Sequence, residues 1–206
     1  ATETEVGTDQ DLLTESSEPK LPGSPEAWKT LKELYVSTGD LTKALEAMNK
    51  VIEFEPRDCM SWFTLGRLQV RAGNIAAAIT SFETASKGYH DWYGLPLDER
   101  KELEKDRKKM GEEEKEASPH YPADDSCHRA DGHLAAATFS AGDLLTVEKL
   151  YRDRFDLDSG LALVTANAMI TKGEYSRAQE PLRQALKMGG SKSDARLALA
   201  MVYANT

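Results

Sequence analysis

The sequence lacks two features that would indicate a membrane or a nucleic acid as its partner. No stretch of the 206 residues approaches the ~18 consecutive apolar residues that a membrane-spanning helix needs. Positive charge is scarce, since 26 lysine and arginine residues stand against 35 acidic ones, giving a net charge of −9. Phosphate groups require the opposite balance. We therefore expect no nucleic-acid binding and no direct membrane insertion, and we expect a protein or peptide partner, with basic ones favoured at long range.

Recognisable catalytic motifs are missing as well. The sequence has no phosphate-binding loop, no nucleophile elbow and no dinucleotide-binding glycine pattern. Its many carboxylates fall on predicted exposed helices, where no apolar pocket would shift the pKa of a general acid or base. The sequence predicts a protein without enzymatic activity and without a cofactor.

Four potential metal ligands lie close together in the sequence: His120, Cys127, His128 and His133. Such side chains bind zinc or copper. Their spacing matches no standard structural zinc motif, and an acidic loop with a proline separates His120 from the others. We therefore predict no metal site. A metal-dependent enzyme is kept as a third functional hypothesis, which metal analysis of the purified protein would test.

Cysteine is also scarce, and two residues do not make a disulfide framework. The chain begins at Ala1, without an initiator methionine and without the basic and apolar regions of a signal peptide. We expect that a preceding segment has been removed. The compartment stays open, and the bacterial periplasm or an organelle, reached after loss of a targeting segment, is one interpretation.

What the sequence does contain is a repeat of fixed length. Trp28-x₂-Leu31 recurs thirty-four residues later as Trp62-x₂-Leu65. Three further pairs keep the same spacing: Gly39 with Gly73, Ala44 with Ala78, and Met48 with Phe82. A period of this size is typical of stacked helical hairpins. Because no single hairpin can bury its own apolar face, the hairpins should be stabilised by their neighbours.

Both units resemble the tetratricopeptide repeat family, whose pattern has Trp, Leu-Gly, Tyr, Ala, a large apolar residue and Pro at these spacings. The matching residues outside the pairs above are Tyr35, Pro56, Gly66 and Ala85. Lys32, Gln69 and His90 depart from the pattern, where Gly, Tyr and Pro are expected. The resemblance implies an all-α, right-handed superhelix of about four hairpins with a C-terminal helix.

Two weaker units follow, with turn glycines at Gly142 and Gly173. Because Gly73 and Gly142 are 69 residues apart, close to two periods, one unit has been replaced. The predicted organisation runs as follows: an acidic flexible tail at 1–23, two well-matched hairpins at 24–92, a charged helix and proline-containing loop inserted at 93–127, two degenerate hairpins at 128–192, and a capping helix at 193–206, which is alternatively the first half of a fifth hairpin.

The two segments outside the repeats each allow two interpretations. The acidic tail is either a disordered leader or an extension whose Leu12-Leu13 pair docks on the helical body or on a partner. Residues 98–116 predict a solvent-exposed charged helix, and the alternative is an insertion that contacts a partner.

Cys59 and Cys127 each lie near the start of the first helix of a predicted hairpin. If those hairpins stack directly, equivalent positions should be about 10 Å apart, the usual spacing of packed helices. A disulfide needs Cα atoms within about 7 Å. We therefore predict two free thiols.

In the tetratricopeptide family the first helix of each hairpin lines a concave groove. The resemblance implies that these residues face outward into it: Lys29, Glu33, Phe63, Arg67, Val70, Arg71, Phe139 and Asn167. Phe63 would contact ligand side chains, while Arg67 and Arg71 would bind carboxylates. Asn167 would pair with backbone amides. One subclass clamps a terminal carboxylate with Lys, Asn and Arg, but Glu33 stands where Asn belongs, so we do not expect that clamp.

Two functional hypotheses follow. The first is a non-catalytic scaffold, an adaptor or assembly factor of a larger complex, that holds a peptide or protein segment in its groove. The second is a permanent structural subunit of a multiprotein complex, held by its convex face, its acidic tail and the 93–127 insertion. Charge, repeats and motifs do not separate the two.

Overall fold

The computed structural model describes residues 23–111, 125–153, 158–189 and 191–206. Within these ranges the chain forms ten α-helices and no β-strand. The predicted acidic tail, apart from Gly23, and residues 112–124 of the predicted insertion lie outside the described residues. The helices are α1 (Pro25–Thr38), α2 (Leu41–Phe54), α3 (Cys59–Arg71), α4 (Ile75–Tyr93), α5 (Leu97–Arg107), α6 (Ala130–Ser140), α7 (Leu144–Asp153), α8 (Ser159–Thr171), α9 (Tyr175–Lys187) and α10 (Lys192–Ala204).

The helices pair as antiparallel hairpins because each pair is separated by a turn glycine. Gly39, Gly73, Gly142 and Gly173 all have positive φ, between 76° and 84°. L-residues with a Cβ rarely adopt this left-handed conformation, so glycine ends the first helix of each hairpin without strain. The resulting hairpins are α1–α2, α3–α4, α6–α7 and α8–α9, and α10 packs on α9. The predicted all-α superhelix of four hairpins with a final helix is confirmed.

Each hairpin is held by small residues at the helix crossing and large residues beside it. Ala44, Ala78 and Ala178 are fully buried where the two helices of a hairpin meet. Phe82 and Leu182 fill the adjoining space and are also fully buried. Close approach at the alanines and filling at the larger side chains together give the dense packing that protein interiors require.

The third hairpin stacks directly on the second, although the intervening sequence is about one unit longer. Helix α4 packs along α6, and Phe82 of α4 shares a buried cluster with Ala130 and Leu134 of α6. Helix α5, which belongs to the extra sequence, has no buried side chain. Helix α5 therefore lies outside the stack, and the extra sequence does not separate α4 from α6.

Helix α4 is longer than its counterpart α2, with 19 residues against 14. The reason is one substitution in the repeat: His90 stands where the first unit has Pro56. Proline cannot donate a backbone hydrogen bond and disfavours helix in the residue before it, so it stops a helix. Histidine has neither restriction, and α4 continues to Tyr93.

The prediction of two free thiols is wrong. Cys59 and Cys127 form a disulfide, with Cα atoms 6.4 Å apart. The 10 Å expectation assumed that Cys127 lies on the first helix of its hairpin. It lies instead in a 3₁₀ turn, Asp125–Arg129, that precedes α6 and contacts α3 and α4. Both cysteines are buried with Tyr89 of α4, so the disulfide joins the second hairpin to the third.

Reducing this disulfide should destabilise the protein without changing the fold. The crosslink closes a loop over 68 positions of sequence, and bridges of that span stabilise by about 2–4 kcal/mol. Urea unfolding with and without dithiothreitol measures the effect on the wild type. The control is C59A/C127A, which should not respond to the reductant. An unchanged unfolding midpoint for the wild type in dithiothreitol would contradict the disulfide.

Two glycines within helices should respond to alanine in opposite directions. A Cβ added at Gly66 would lie 2.6 Å from the Phe82 ring, which is fully buried and cannot move away. Overpacking of this kind costs about 1–3 kcal/mol, more than the ~0.5–1 kcal/mol that alanine adds to helix stability. At Gly88 the nearest atom is the Cys59 Cβ at 3.4 Å, an ordinary contact.

We therefore expect Gly66→Ala to lower the free energy of unfolding and Gly88→Ala to leave it unchanged or raise it. Chemical denaturation of both variants at equal protein concentration tests this. A Gly66→Ala variant as stable as Gly88→Ala would mean that Phe82 is not held against α3 as described.

Candidate protein-interaction groove

The first helices of the hairpins, α1, α3, α6 and α8, carry the residues assigned to the groove from the sequence. Glu33, Arg67 and Arg71 are exposed, and Val70 has 42% of its surface exposed. Lys29, Phe139 and Asn167 are half-buried. Their part in binding stays a prediction, but seven of the eight are at least partly accessible.

The prediction that Phe63 faces outward is wrong. Its side chain is only 5% exposed and lies in the cluster around Phe82. His133 of α6 packs edge-on against it, with ring centroids 5.0 Å apart. The sequence placed Phe63 by its position in the repeat, which does not reveal that the third hairpin covers it. The Phe63 side chain is therefore buried beneath the surface of the groove and is not accessible to a ligand.

Arg67 and His133 lie against Phe63, and Arg129 is close enough for its charge to act on His133; we call Arg67, Arg129 and His133 the basic centre. The Arg67 guanidinium lies 5.9 Å from the Phe63 ring centroid. Desolvation lowers the pKa of His133, and the positive charges of Arg67 and Arg129 lower it further. Packing against Phe63 and Phe82 explains the desolvation, although part of the His133 side chain is still exposed.

No acidic side chain among the described residues forms an ion pair with Arg67 or Arg129. Lys29, by contrast, is paired with Glu55 at 2.7 Å. Burial acts to lower the pKa of Lys29, but the hydrogen bond and charge of Glu55 outweigh it, and the pKa is raised. The positive charge that is left to attract an anion is therefore in the middle of the groove.

Two clefts open between successive first helices. One, of about 380 Å³, lies between α1 and α3 and is bordered by Glu33 and Asp58. The other, of about 740 Å³, lies between α6 and α8 beside the basic centre. Its apolar lining comes from Ala136, Leu163, Val164 and Met188. We call it the α6–α8 cleft, and it is large enough for apolar side chains of a bound segment.

Asp158 forms the floor of the α6–α8 cleft and brings its two helices together. Its carboxylate accepts hydrogen bonds from the backbone N–H of Leu161 at 2.7 Å and of Gly132 at 2.9 Å, so it caps α8 and binds the start of α6. Burial raises the pKa of Asp158, opposed by its backbone hydrogen bonds. A Cβ at Gly132 or Gly160 would lie within 3 Å of the carboxylate. Both positions therefore require glycine.

A buried polar network fixes α6 against α4 behind the basic centre. Asp131 is 2% exposed, and its carboxylate accepts a hydrogen bond from the Ser86 hydroxyl at 2.5 Å and contacts His90 Nε2 at 2.7 Å. Asp131 lies eleven residues before Gly142, the position that Trp28 occupies relative to Gly39. The two departures from the repeat, at His90 and Asp131, thus contact each other.

Sequence reasoning missed Asp131, Asp158 and His133 as determinants of this region. Asp131 had a signal, because counting back from the turn glycine shows aspartate at a tryptophan position. Asp158 also had one, since it precedes a helical pattern as a typical N-cap. His133 had none beyond its metal-binding chemistry. Cys127, one of the four potential metal ligands in the sequence, is in the disulfide, and His120 lies outside the described residues.

Within the described part of the chain, no three histidine, cysteine, aspartate or glutamate side chains are grouped to hold a metal ion. In the same residues no helix has the length and apolarity needed to cross a bilayer. What the geometry offers is a row of stacked hairpins with a cationic, partly apolar face. A protein of this kind is a helical repeat scaffold.

Comparison with known proteins identifies one repeat in the sequence and one solved structure with a similar fold. A sequence profile of the family Tetratricopeptide repeat matches residues 33–58. The crystal structure of MamA protein is 13% identical, with 88% of this chain and 81% of that chain covered and a TM-score of 0.55. This similarity concerns the fold alone. No curated protein matches the sequence.

Two further solved structures overlap most of the chain at low similarity. A tetratricopeptide repeat protein from Parabacteroides merdae is 17% identical over 87% of this chain and 71% of that chain, with a TM-score of 0.35. PilF from Pseudomonas aeruginosa is 20% identical over 88% and 85%, with a TM-score of 0.32.

Residues 33–58 thus match a tetratricopeptide repeat, and the described helices form a row of stacked hairpins of the kind that such repeats build. The family consists in general of non-catalytic modules for protein–protein interaction. A fold built from such repeats is in general an interaction scaffold.

Proposed function

We propose that this protein is a non-catalytic adaptor that binds an acidic segment of a protein partner in its groove. The observation that carries the proposal is the basic centre, where two arginines next to an apolar cleft have no acidic partner among the described residues. The net charge of −9 favours basic partners at long range. The groove, by contrast, is positively charged at the basic centre, and this local charge decides which segment is bound there.

The chemistry of the basic centre favours carboxylates. Guanidinium groups bind carboxylates through two parallel hydrogen bonds, which gives both strength and orientation. Arg67 is held over Phe63, and Arg129 lies at the start of α6. The Arg67 side chain is therefore partly restrained before binding, and less of its conformational entropy is lost.

The α6–α8 cleft supplies the apolar part of the recognition. Its wall of Ala136, Leu163, Val164 and Met188 lies next to Arg129 and His133, so one segment can place a carboxylate and an apolar side chain side by side. Hot spots of protein interfaces commonly combine a buried apolar anchor with an arginine. The favoured ligand is thus an acidic segment with an apolar residue adjacent to the carboxylate.

The disulfide supports an oxidising compartment as the place of action. Disulfides persist in the periplasm, in the secretory pathway and outside cells, and they are rare in the cytosol. Cys59 and Cys127 are buried together in the folded protein, with 2% and 0% exposure. The partner is then expected in the same compartment.

The structural-subunit alternative places the partner on the convex face. Leu145 of α7 is 73% exposed and lies on the second helix of its hairpin, away from the groove. Arg152 is exposed on the same helix. These residues make the alternative testable in the same experiment.

Charge reversal in the groove should abolish partner binding. R67E/R129E would repel an acidic segment, so the partner that co-purifies with the wild type should be lost or reduced at least ~10-fold. Quantitative mass spectrometry after affinity purification measures this. R152E is the matched control on α7 and should recover the partner in full.

Thermal unfolding of each variant confirms that the fold is intact. Full recovery with R67E/R129E would rule out the groove, and loss with R152E alone would favour the convex-face alternative.

A further inference from the structure

We propose that residues 1–22 of this chain bind in its own groove, with the Asp9–Glu15 stretch on the basic centre and the α6–α8 cleft. The inference rests on the proposed function of the groove and adds a resident occupant that a partner must displace. It also defines the partner's chemistry, because a competitor must offer the same groups.

The composition of the segment matches the groove. Residues 1–22 contain six acidic side chains and one lysine. Asp11 and Glu15 flank the pair Leu12-Leu13, with Asp9 two residues before Asp11. Carboxylates next to an apolar pair are what Arg67, Arg129 and the apolar cleft wall would accommodate together.

The charged residues that line the two clefts also determine which cleft the acidic segment would bind. The cleft between α1 and α3 is lined by Lys29, Lys32, Glu33 and Asp58. Both lysines are already paired, Lys29 with Glu55 and Lys32 with Glu33, so this cleft offers the segment no unpaired cation. In the α6–α8 cleft the acidic group is Asp158, whose carboxylate already accepts backbone N–H groups at the cleft floor. Arg129 and His133 line the same cleft. The acidic segment is therefore favoured at the second cleft.

The segment is long enough to reach. The described chain starts at Gly23, just before α1. The ten residues that follow Leu13 span at most about 33–36 Å when extended. From α1 past α3 to α6 is at least two helix spacings, or about 16–20 Å, and more where a cleft separates the first helices. The pair Leu12-Leu13 can thus reach the cleft while Gly23 stays in place.

Tethering strengthens the interaction. A segment joined by a short flexible connection has an effective concentration in the millimolar range. A contact whose dissociation constant lies below this effective concentration is therefore formed in most chains. A free partner segment competes with it, so its apparent affinity is reduced by the fraction of chains whose groove is occupied.

The test uses full-length variants that differ only in the segment. D9N/D11N/E15Q removes three charges next to Leu12-Leu13, and E3Q/E5Q/E18Q removes three charges elsewhere in the segment. The probe is a labelled synthetic peptide with the sequence of residues 1–22. We expect D9N/D11N/E15Q to bind this peptide at least ~10-fold more tightly than the wild type does, because its groove is vacated. The matched control should bind like the wild type.

An independent measurement is the pKa of His133 by NMR. A carboxylate that binds beside Arg67 and Arg129 offsets the positive charges that lower this pKa. The pKa should therefore be lower in D9N/D11N/E15Q than in the wild type, and unchanged in E3Q/E5Q/E18Q. Dilution should have no effect on it, since the contact lies within one chain.

Equal His133 pKa values in the wild type and in D9N/D11N/E15Q would overturn the proposal. A shift that vanishes on dilution would also overturn it, in favour of exchange between copies. These results leave the groove itself open to an external partner. Loss of the partner from R67E/R129E together with an unshifted His133 would remove the tail proposal alone.

Discussion

The packing of α4 against α6 is the contact on which the rest of the array depends. A helical hairpin cannot bury its apolar face alone, so a break in the stack would expose the second and third hairpins at once. Here nearly a whole unit of sequence intervenes, yet α4 and α6 meet directly. The buried cluster around Phe82 and Leu134 supplies the apolar contact between the two helices. The hydrogen bonds of Asp131 to α4 fix the register of the helices. The disulfide joins the second hairpin to the turn before α6.

The same contact creates the groove's central chemistry. By stacking the third hairpin directly on the second, it sets His133 over Phe63 and brings Arg129 to the same side as Arg67. Neither hairpin has this cationic surface by itself. The feature that distinguishes this chain from a regular array is thus a consequence of where the regular spacing is interrupted. Its candidate binding site and its structural junction are one region.

The fold could be predicted from the sequence because its signals are local. Trp28 and Trp62, with the turn glycines, fix helix, turn and helix wherever they occur. The pairing of Cys127 and the burial of Phe63 could not be predicted, because both depend on how the third hairpin meets the second. That meeting is set by the length of α4, which follows from the departure at His90, and by the 3₁₀ turn before α6, which does not follow from the repeat pattern.

The central claim is that His90 and Asp131, which replace proline and tryptophan of the repeat, act together to hold α4 on α6. A double-mutant cycle with His90→Ala, Asp131→Ala and the double variant tests it most directly, using the free energy of unfolding from urea denaturation. The account predicts a coupling energy of roughly 0.5–3 kcal/mol, as for residues in one hydrogen-bond network. Effects that add to within about 0.5 kcal/mol, the behaviour of independent sites, would contradict it.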